Sequence, residues 1–250
     1  MKLRRLPQRK FPPEFSDLLT GRGLQLLKAP DRAQQFKDSS TYFANYPDLI
    51  RKSDANSCMR LLDECFYEFL SVEQRKIPPE SISEMKENYS DTLNKTMHVK
   101  TATLNKAGSR AHKAADKIGL LGMMRSESFV RFAEVVTGYK LDRNLNMQVS
   151  CYEPGDYAGP HNDHHPEYPA IRDGYVDFHV MFANKGVDHH YLVYEDGGHF
   201  SKIVDINING AVSIYKLPFW HYTTPLAAKP GQETHARRWL LLGSFVIDEK

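Results

Sequence analysis

From Leu141 to its end, this chain of 250 residues reads as strand rather than helix. Met147-Gln148-Val149-Ser150-Cys151-Tyr152 alternates and stops at the turn signal Glu153-Pro154-Gly155-Asp156. Further strand-like runs cover Tyr175–Ala183, His190–Tyr194, Phe200–Ile208, Ala211–Leu217 and Arg238–Ile247. Clusters of Gly, Asn, Asp and Pro separate them, with Asn209-Gly210 as a hairpin signal. Six or seven short strands without intervening helices predict a β-sandwich or barrel.

The first 135 or so residues read as mostly helical. Asn56 to Val72 sets Leu62, Cys65, Phe66 and Phe69 at helical spacing, with Asp54 or Asn56 as cap. A second helix opens at Ser126, runs through Phe129, Phe132, Ala133 and Val136, and stops at Gly138. Between them, Glu73 to Lys117 is polar and lysine-rich, broken at Ile77-Pro78-Pro79, and fits a loop, a lid or an exposed helix. Helices packed outside a barrel make residues 1–250 one α+β domain with a mainly β core. Residues 1–140 form its helical N-terminal layer and residues 141–250 its core.

Composition excludes several classes. A hydrophobic share of 41% and a charged share of 26% are globular values, which rules out disorder, collagen and coiled coil. No stretch approaches 18 apolar residues, so no transmembrane helix is expected. The basic start Met1-Lys2-Leu3-Arg4-Arg5 lacks an apolar segment after it, which argues against a secretory signal. Three cysteines (Cys58, Cys65, Cys151) without a CxxC pair indicate neither a disulfide framework nor a zinc ribbon. A reducing cytoplasm is the expected compartment.

The net charge of +2 conceals two unlike halves. Residues 1–130 hold 22 Lys/Arg against 16 Asp/Glu, and residues 131–250 hold 11 against 15. The acidic half nevertheless carries 9 of the 11 histidines. Histidine is the commonest metal ligand among side chains, so this crowding points to metal chemistry.

The sharpest local signal is His161-Asn162-Asp163, just after the first strand and its turn. On a strand, residues i and i+2 face the same way, so H-x-D aims an imidazole and a carboxylate at one point. A histidine from a distant strand would complete a 2-His-1-carboxylate facial triad, which holds non-haem Fe(II) and leaves positions open. His221, after the run Ala211–Leu217, stands 60 residues later.

Here the sequence resembles the Fe(II)/2-oxoglutarate-dependent dioxygenases, most closely their prolyl-hydroxylase-like branch. The resemblance rests on Cys151-Tyr152-Glu153-Pro154-Gly155, His161-Asn162-Asp163, His221 with Pro225 four residues on, and Arg238 followed by Gly243 and Phe245. It covers roughly residues 126–247, and four elements in order are far more specific than any one of them. It implies a double-stranded β-helix (a jelly-roll, cupin-like) carrying the iron site, with the N-terminal helices packed against it.

The resemblance also implies roles. His161, Asp163 and His221 are the metal ligands and catalytic residues. Arg238 is the cation for the far carboxylate of 2-oxoglutarate, with Arg237 as its competitor, because strand neighbours face opposite ways. Tyr152 stands near the cosubstrate. Fe(II), 2-oxoglutarate and O2 are the implied cofactors. The implied reaction hydroxylates an unactivated C–H bond of a small, amino-acid-like molecule or a peptidyl residue, with succinate and CO2 as coproducts. Asp163 fills the position that related halogenases leave free for chloride.

Two departures concern the cosubstrate. A tyrosine that many relatives carry after H-x-D aligns with Phe182, so its contact is lost or supplied by His179, Tyr191 or Tyr194. His189-His190 stands where a Gly-Gly pair is common. Of the remaining histidines, His164, His165, His189, His190, His199 and His235 read as loop or surface residues, and Cys58 and Cys65 as core. The lysines of 73–117 are mixed with Glu80, Glu84, Glu87 and Asp91, a solvated face, so neither nucleic acid nor membrane is an expected partner. Oligomeric state is not readable. Two other readings stand beside the dioxygenase: a non-catalytic jelly-roll interaction protein, and an iron oxidase that does not use 2-oxoglutarate.

Overall fold

The computed structural model describes residues 10–28, 36, 42–76, 96–142, 146–164, 168–171 and 174–248. Thirteen strands are found among them: β1 (Phe43–Tyr46), β2 (Ser71–Lys76), β3 (Thr96–Thr103), β4 (Asn146–Tyr152), β5 (Tyr157–Ala158), β6 (Tyr175–Ala183), β7 (Val187–His189), β8 (Tyr191–Asp196), β9 (His199–Asp205), β10 (Ala211–Leu217), β11 (His221–Thr223), β12 (Ala227–Ala228) and β13 (Arg238–Val246). The large sheet runs β1-β10-β6-β13-β4-β3-β2, with β5 paired to β3. Opposite it lie a three-stranded sheet, β11-β8-β9, and the pair β12-β7. After β4 the chain passes back and forth between the large sheet and the small ones. This is the expected double-stranded β-helix.

Alternation along each strand of the large sheet decides what faces the barrel interior. On β6, Val176, Phe178, Val180 and Phe182 belong to the core beneath the helices, whereas Tyr175 and Met181 belong to the interior cluster. On β13, Trp239, Leu241 and Phe245 face the helices, while Leu240 faces inward. Registers such as Leu240↔Met181 and Leu240↔Ser150 carry that parity across the sheet. One residue of slip would exchange the two faces completely.

The helical layer closes the outer face. Helix α1 spans Gly21–Lys28, α2 Lys52–Cys65, α3 Arg110–Lys117, α4 Leu120–Met124 and α5 Glu127–Thr137. Ser126 caps α5 by accepting a hydrogen bond from Phe129 N, and Gly138 ends it at φ 74°, as the sequence predicts. Phe129 and Phe132 of α5 meet Phe178 of β6 at ring-centroid distances of 4.5 and 5.7 Å. Phe15 packs edge-on against all three rings. A buried phenylalanine contributes about 1.5–3 kcal/mol, so this cluster is a main tie between helices and barrel.

Three expectations need correction. The helix expected over Asn56–Val72 begins at Lys52 and ends at Cys65, with no side-chain cap bond, and Val72 lies in β2. The N-terminal half is not simply a helical layer, because β1, β2 and β3 extend the large sheet. β2 is Ser-Val-Glu-Gln-Arg-Lys on the sheet edge and almost wholly exposed, so it has no apolar face to reveal it. Of the segment 73–117, residues 77–95, which would carry any lid, lie outside the described residues. Asn209-Gly210 turns with Gly210 at φ 83°, yet joins no hairpin. Strand β9 before it pairs with β8, and β10 after it pairs with β6 and β1. The turn carries the chain from one sheet to the other.

Candidate active site

His161 and His221 meet across the barrel mouth as an isolated antiparallel bridge. His161 N donates to His221 O at 3.0 Å, and His221 N donates to His161 O at 2.9 Å. A pair that exchanges both bonds directs its side chains to the same side, and the ring centroids are 4.3 Å apart. Asp163, two residues on at φ 54°, brings its Oδ2 to 3.4 Å from His161 Nε2 and 3.7 Å from His221 Nε2. One ligand atom from each of the three lies within 4.8 Å of the others. The three expected metal ligands are together.

The tautomers follow from the other ring nitrogens. His161 Nδ1 stands 2.6 Å from Gly159 O, and His221 Nδ1 stands 2.9 Å from Phe219 O. A carbonyl only accepts, so both Nδ1 atoms carry the proton and both Nε2 lone pairs point toward Asp163. Metal-binding histidines are oriented in this way by outer-shell acceptors. Burial, then His161, pushes the His221 pKa down to about 3. At His161 burial also acts downward, but the Asp163 charge and hydrogen bond and the Gly159 carbonyl outweigh it and raise the pKa.

These groups share a cavity of about 440 Å³ with Tyr152, Tyr175, Asp177, His179, Tyr215 and Arg238. Apolar Val99, Leu192, Ile206 and Leu240 line it too, with Glu73 and Arg75 of β2. Arg238 is 2% exposed, donates from Nε to Ile206 O at 2.7 Å, and lies over the Tyr152 ring at 5.3 Å. No carboxylate among the described residues comes within ion-pair range of it, and burial lowers its pKa. Arg237 faces the other way. It pairs with Glu153 at 3.1 Å and Asp63 at 3.5 Å, and stacks on Tyr67. Parity separates two adjacent arginines into an interior cation and an outer-surface ion pair.

The residue aligned with the cosubstrate tyrosine, Phe182, points into the helix-side core, so it has no access to the cavity. Of the three substitutes, His179 lines the cavity. Tyr191 stacks on His189, and Tyr194 lines a separate cleft with Tyr42, Phe219 and Trp220. His190 was expected at the surface and is fully buried, 4.9 Å from Tyr152, with neither ring nitrogen hydrogen-bonded. Its backbone O accepts from Ile206 N, which turns the residue inward next to Arg238. Cys58 and Cys151 are buried thiols, with Cys58 pushed up to about 12 and Cys151 well above its ordinary range, each by burial first. Burial thus holds both as neutral thiols, the less reactive form.

No family model matches the chain, and the search of curated proteins returns no significant match. Solved structures do match. One is a 2OG-Fe(II) oxygenase family oxidoreductase from Burkholderia pseudomallei, 12% identical, covering 96% of this chain and 95% of its own, at TM-score 0.51. A second comes from a study of prolyl 4-hydroxylases of Phytophthora capsici, 13% identical, covering 99% and 70%, at TM-score 0.55. The fold is that of the 2OG-Fe(II) oxygenases. A third structure with this fold is SnoN, described as a non-haem α-ketoglutarate-dependent epimerase from nogalamycin biosynthesis, 10% identical over 91% and 84%, at TM-score 0.50. One barrel thus carries differently named chemistries, and reaction type must be read from the site. No helix among the described residues is long and apolar enough to cross a membrane.

Acid should destabilise the metal-free protein. His190 and His221 are held neutral by burial, with folded pKa values below the unfolded value of about 6.5. The unfolded chain therefore binds more protons, and stability is lost as pH falls from about 6.5 toward the folded values. His161, raised by Asp163, works in the opposite direction and offsets part of the loss. The thermal midpoint is expected to drop by several degrees between pH 7 and pH 4, and less so in His190→Leu. Equal midpoints for wild type at both pH values would contradict this.

Proposed function

We propose that the chain is an Fe(II)- and 2-oxoglutarate-dependent dioxygenase. It hydroxylates an unactivated C–H bond of a small molecule or a peptidyl residue, releasing succinate and CO2. The observation that carries this reading is Arg238, a buried guanidinium without a counter-ion among the described residues, in the same cavity as a His-Asp-His cluster. A buried cation that lacks a partner costs several kcal/mol, and the cost is recovered when an anionic ligand occupies the site. A metal cluster alone would need no such arginine.

The residues fit both groups. Two neutral imidazole nitrogens and one carboxylate suit Fe(II), and three ligands leave room for cosubstrate and oxygen. The forked guanidinium suits bidentate capture of a carboxylate. Bound Fe(II), with 2-oxoglutarate and O2, supplies the oxidising chemistry. His161, Asp163 and His221 hold the metal, and the carbonyls of Gly159 and Phe219 keep the two imidazoles in the binding tautomer. Arg238 anchors the distal carboxylate, with the Tyr152 ring bounding that end of the cavity. Val99, Leu192, Ile206 and Leu240 give the cavity apolar wall, and a lower local dielectric strengthens both interactions.

The test is succinate formation from 2-oxoglutarate by purified protein with Fe(II) and ascorbate. One Fe(II) per chain and succinate above background are expected. Failure to bind Fe(II) anaerobically would favour a non-catalytic interaction protein. Arg237→Ala is the matched control for Arg238. Its pairs are partly exposed, so about 0–1 kcal/mol of stability is at stake. The KM for 2-oxoglutarate should stay within about twofold of wild type. A tenfold rise in Arg237→Ala would transfer the anchor to that residue.

A further inference from the structure

β6 places two more polar side chains on the inner face, Asp177 and His179, i and i+2 on the strand. Both are more than nine-tenths buried. Asp177 Oδ1 and both ring nitrogens of His179 have no hydrogen-bond partner. Their mutual approach, His179 Nε2 to Asp177 Oδ2, is 3.9 Å, too long for a hydrogen bond. Buried polar atoms are rarely left unmade in folded proteins, and here they line the cavity of the metal cluster. None of their cross-strand neighbours makes a hydrogen bond to these atoms. On β13, Ser244 and Leu242 stand opposite Asp177 and His179, and on β10, Tyr215 and Ser213 do. Ser213 is engaged with Met181 instead.

The charges in the cavity can be assigned one by one. Glu73 and Arg75 pair with each other at 2.6 Å. Asp163 belongs with the two histidines, and Arg238 with the anionic cosubstrate. Asp177 remains, a carboxylate without a guanidinium or ammonium in ion-pair range among the described residues. We infer that Asp177, with His179 beside it, is the subsite for a positively charged nitrogen of the substrate, a primary or secondary ammonium. The ammonium donates to Asp177, and His179 turns a ring nitrogen to the same group. The Tyr215 ring lies 4.2 Å from the His179 ring and 5.4 Å from the His221 ring. Tyr215 thus touches both His179 and His221, and a substrate held at Asp177 occupies the same cavity as the His-Asp-His cluster.

This inference rests on the proposed dioxygenase reading, and its test keeps the two apart. The protein loaded with Mn(II) and 2-oxoglutarate, without oxygen, is titrated by calorimetry with L-lysine, L-ornithine, spermidine and pyrrolidine. Each is run beside its fully N-acetylated derivative, which carries no ammonium. At least one amine is expected to bind about tenfold or more tighter than its acetylated partner. Asp177→Asn should reduce that preference to about twofold, while Asp177→Glu, which keeps the charge, retains part of it. Mn(II) binding by each variant reports that the barrel is intact. If no amine binds, or only neutral members do, or Asp177→Asn keeps the full preference, the ammonium subsite is refuted. If wild type binds neither Mn(II) nor 2-oxoglutarate, the dioxygenase reading itself fails and takes the subsite with it.

Discussion

Replacing Arg238 by Met should abolish 2-oxoglutarate binding and at the same time raise the thermal midpoint of the ligand-free protein. The side chain is 2% exposed, and among the described residues its one hydrogen bond is from Nε to Ile206 O. That bond and the Tyr152 ring offset only part of its desolvation. Apolar replacement of a buried charge is often neutral or stabilising by about 1–4 kcal/mol, and loss of the Ile206 bond takes back about 1 kcal/mol. Methionine fills much the same space between Tyr152, Tyr215 and Leu240. In a chain of this size each kcal/mol moves the midpoint by about 2–4 °C. A rise of a few degrees is therefore expected, with affinity for 2-oxoglutarate down by a factor of about 100 or more. The order reverses when metal and 2-oxoglutarate are added, since a ligand at 100 times its Kd adds about 2.7 kcal/mol to wild type alone. A midpoint that 2-oxoglutarate leaves unmoved in wild type would remove the basis for the anchor.

The largest single effects should come from the three proposed metal ligands. His161→Ala, Asp163→Ala and His221→Ala each leave two ligands of three, and each is expected to weaken Mn(II) or Fe(II) binding by a factor of about 100 or more. Succinate formation should fall to background in all three. The losses should not add. A His161→Ala/His221→Ala double variant cannot be less active than either single one, because the three side chains act as one unit. Titration of the metal monitored by paramagnetic resonance measures this directly. Wild-type turnover in His161→Ala would end the metal-centred account. Acidification should mimic these variants in part, because protons compete for the same Nε2 lone pairs and His161, held up by Asp163, is the first to accept one.

Much of the site is local in sequence. His161 and Asp163 are two residues apart, so their pairing was legible. Asp163 lies off the strand at φ 54°, however, and that left-handed residue rather than strand alternation brings its carboxylate to the imidazole. Tyr152, the Arg237-Arg238 pair and the final strand were likewise legible from spacing and from the resemblance. The run Tyr175–Ala183 was legible as a strand, but its pairing partners and the identity of its inner face were not. Nine consecutive buried residues hide the alternation that distinguishes Asp177 and His179 from Phe178 and Val180. The same concealment hid that Phe182 faces the helices, whereas His190, outside that run, read as surface only because histidine usually lies there. β2 was missed for the opposite reason, since an exposed edge strand carries no apolar face at all.

The sequence by itself determined the strand-rich second half, the capped helix after Ser126, and a His, Asp and His at 161, 163 and 221 whose chemistry suits a metal. Those depend on contacts within a few residues, on periodicity, and on chemistry that no neighbour alters. Only the tertiary structure decided that β1, β2 and β3 extend the large sheet, that Asn209-Gly210 joins two sheets, and that Arg238 rather than Arg237 faces the cavity. It also decided which polar atoms lack partners. Burial and hydrogen bonding are properties of two surfaces brought together, and a residue's face is set by the register of the strands on either side of it.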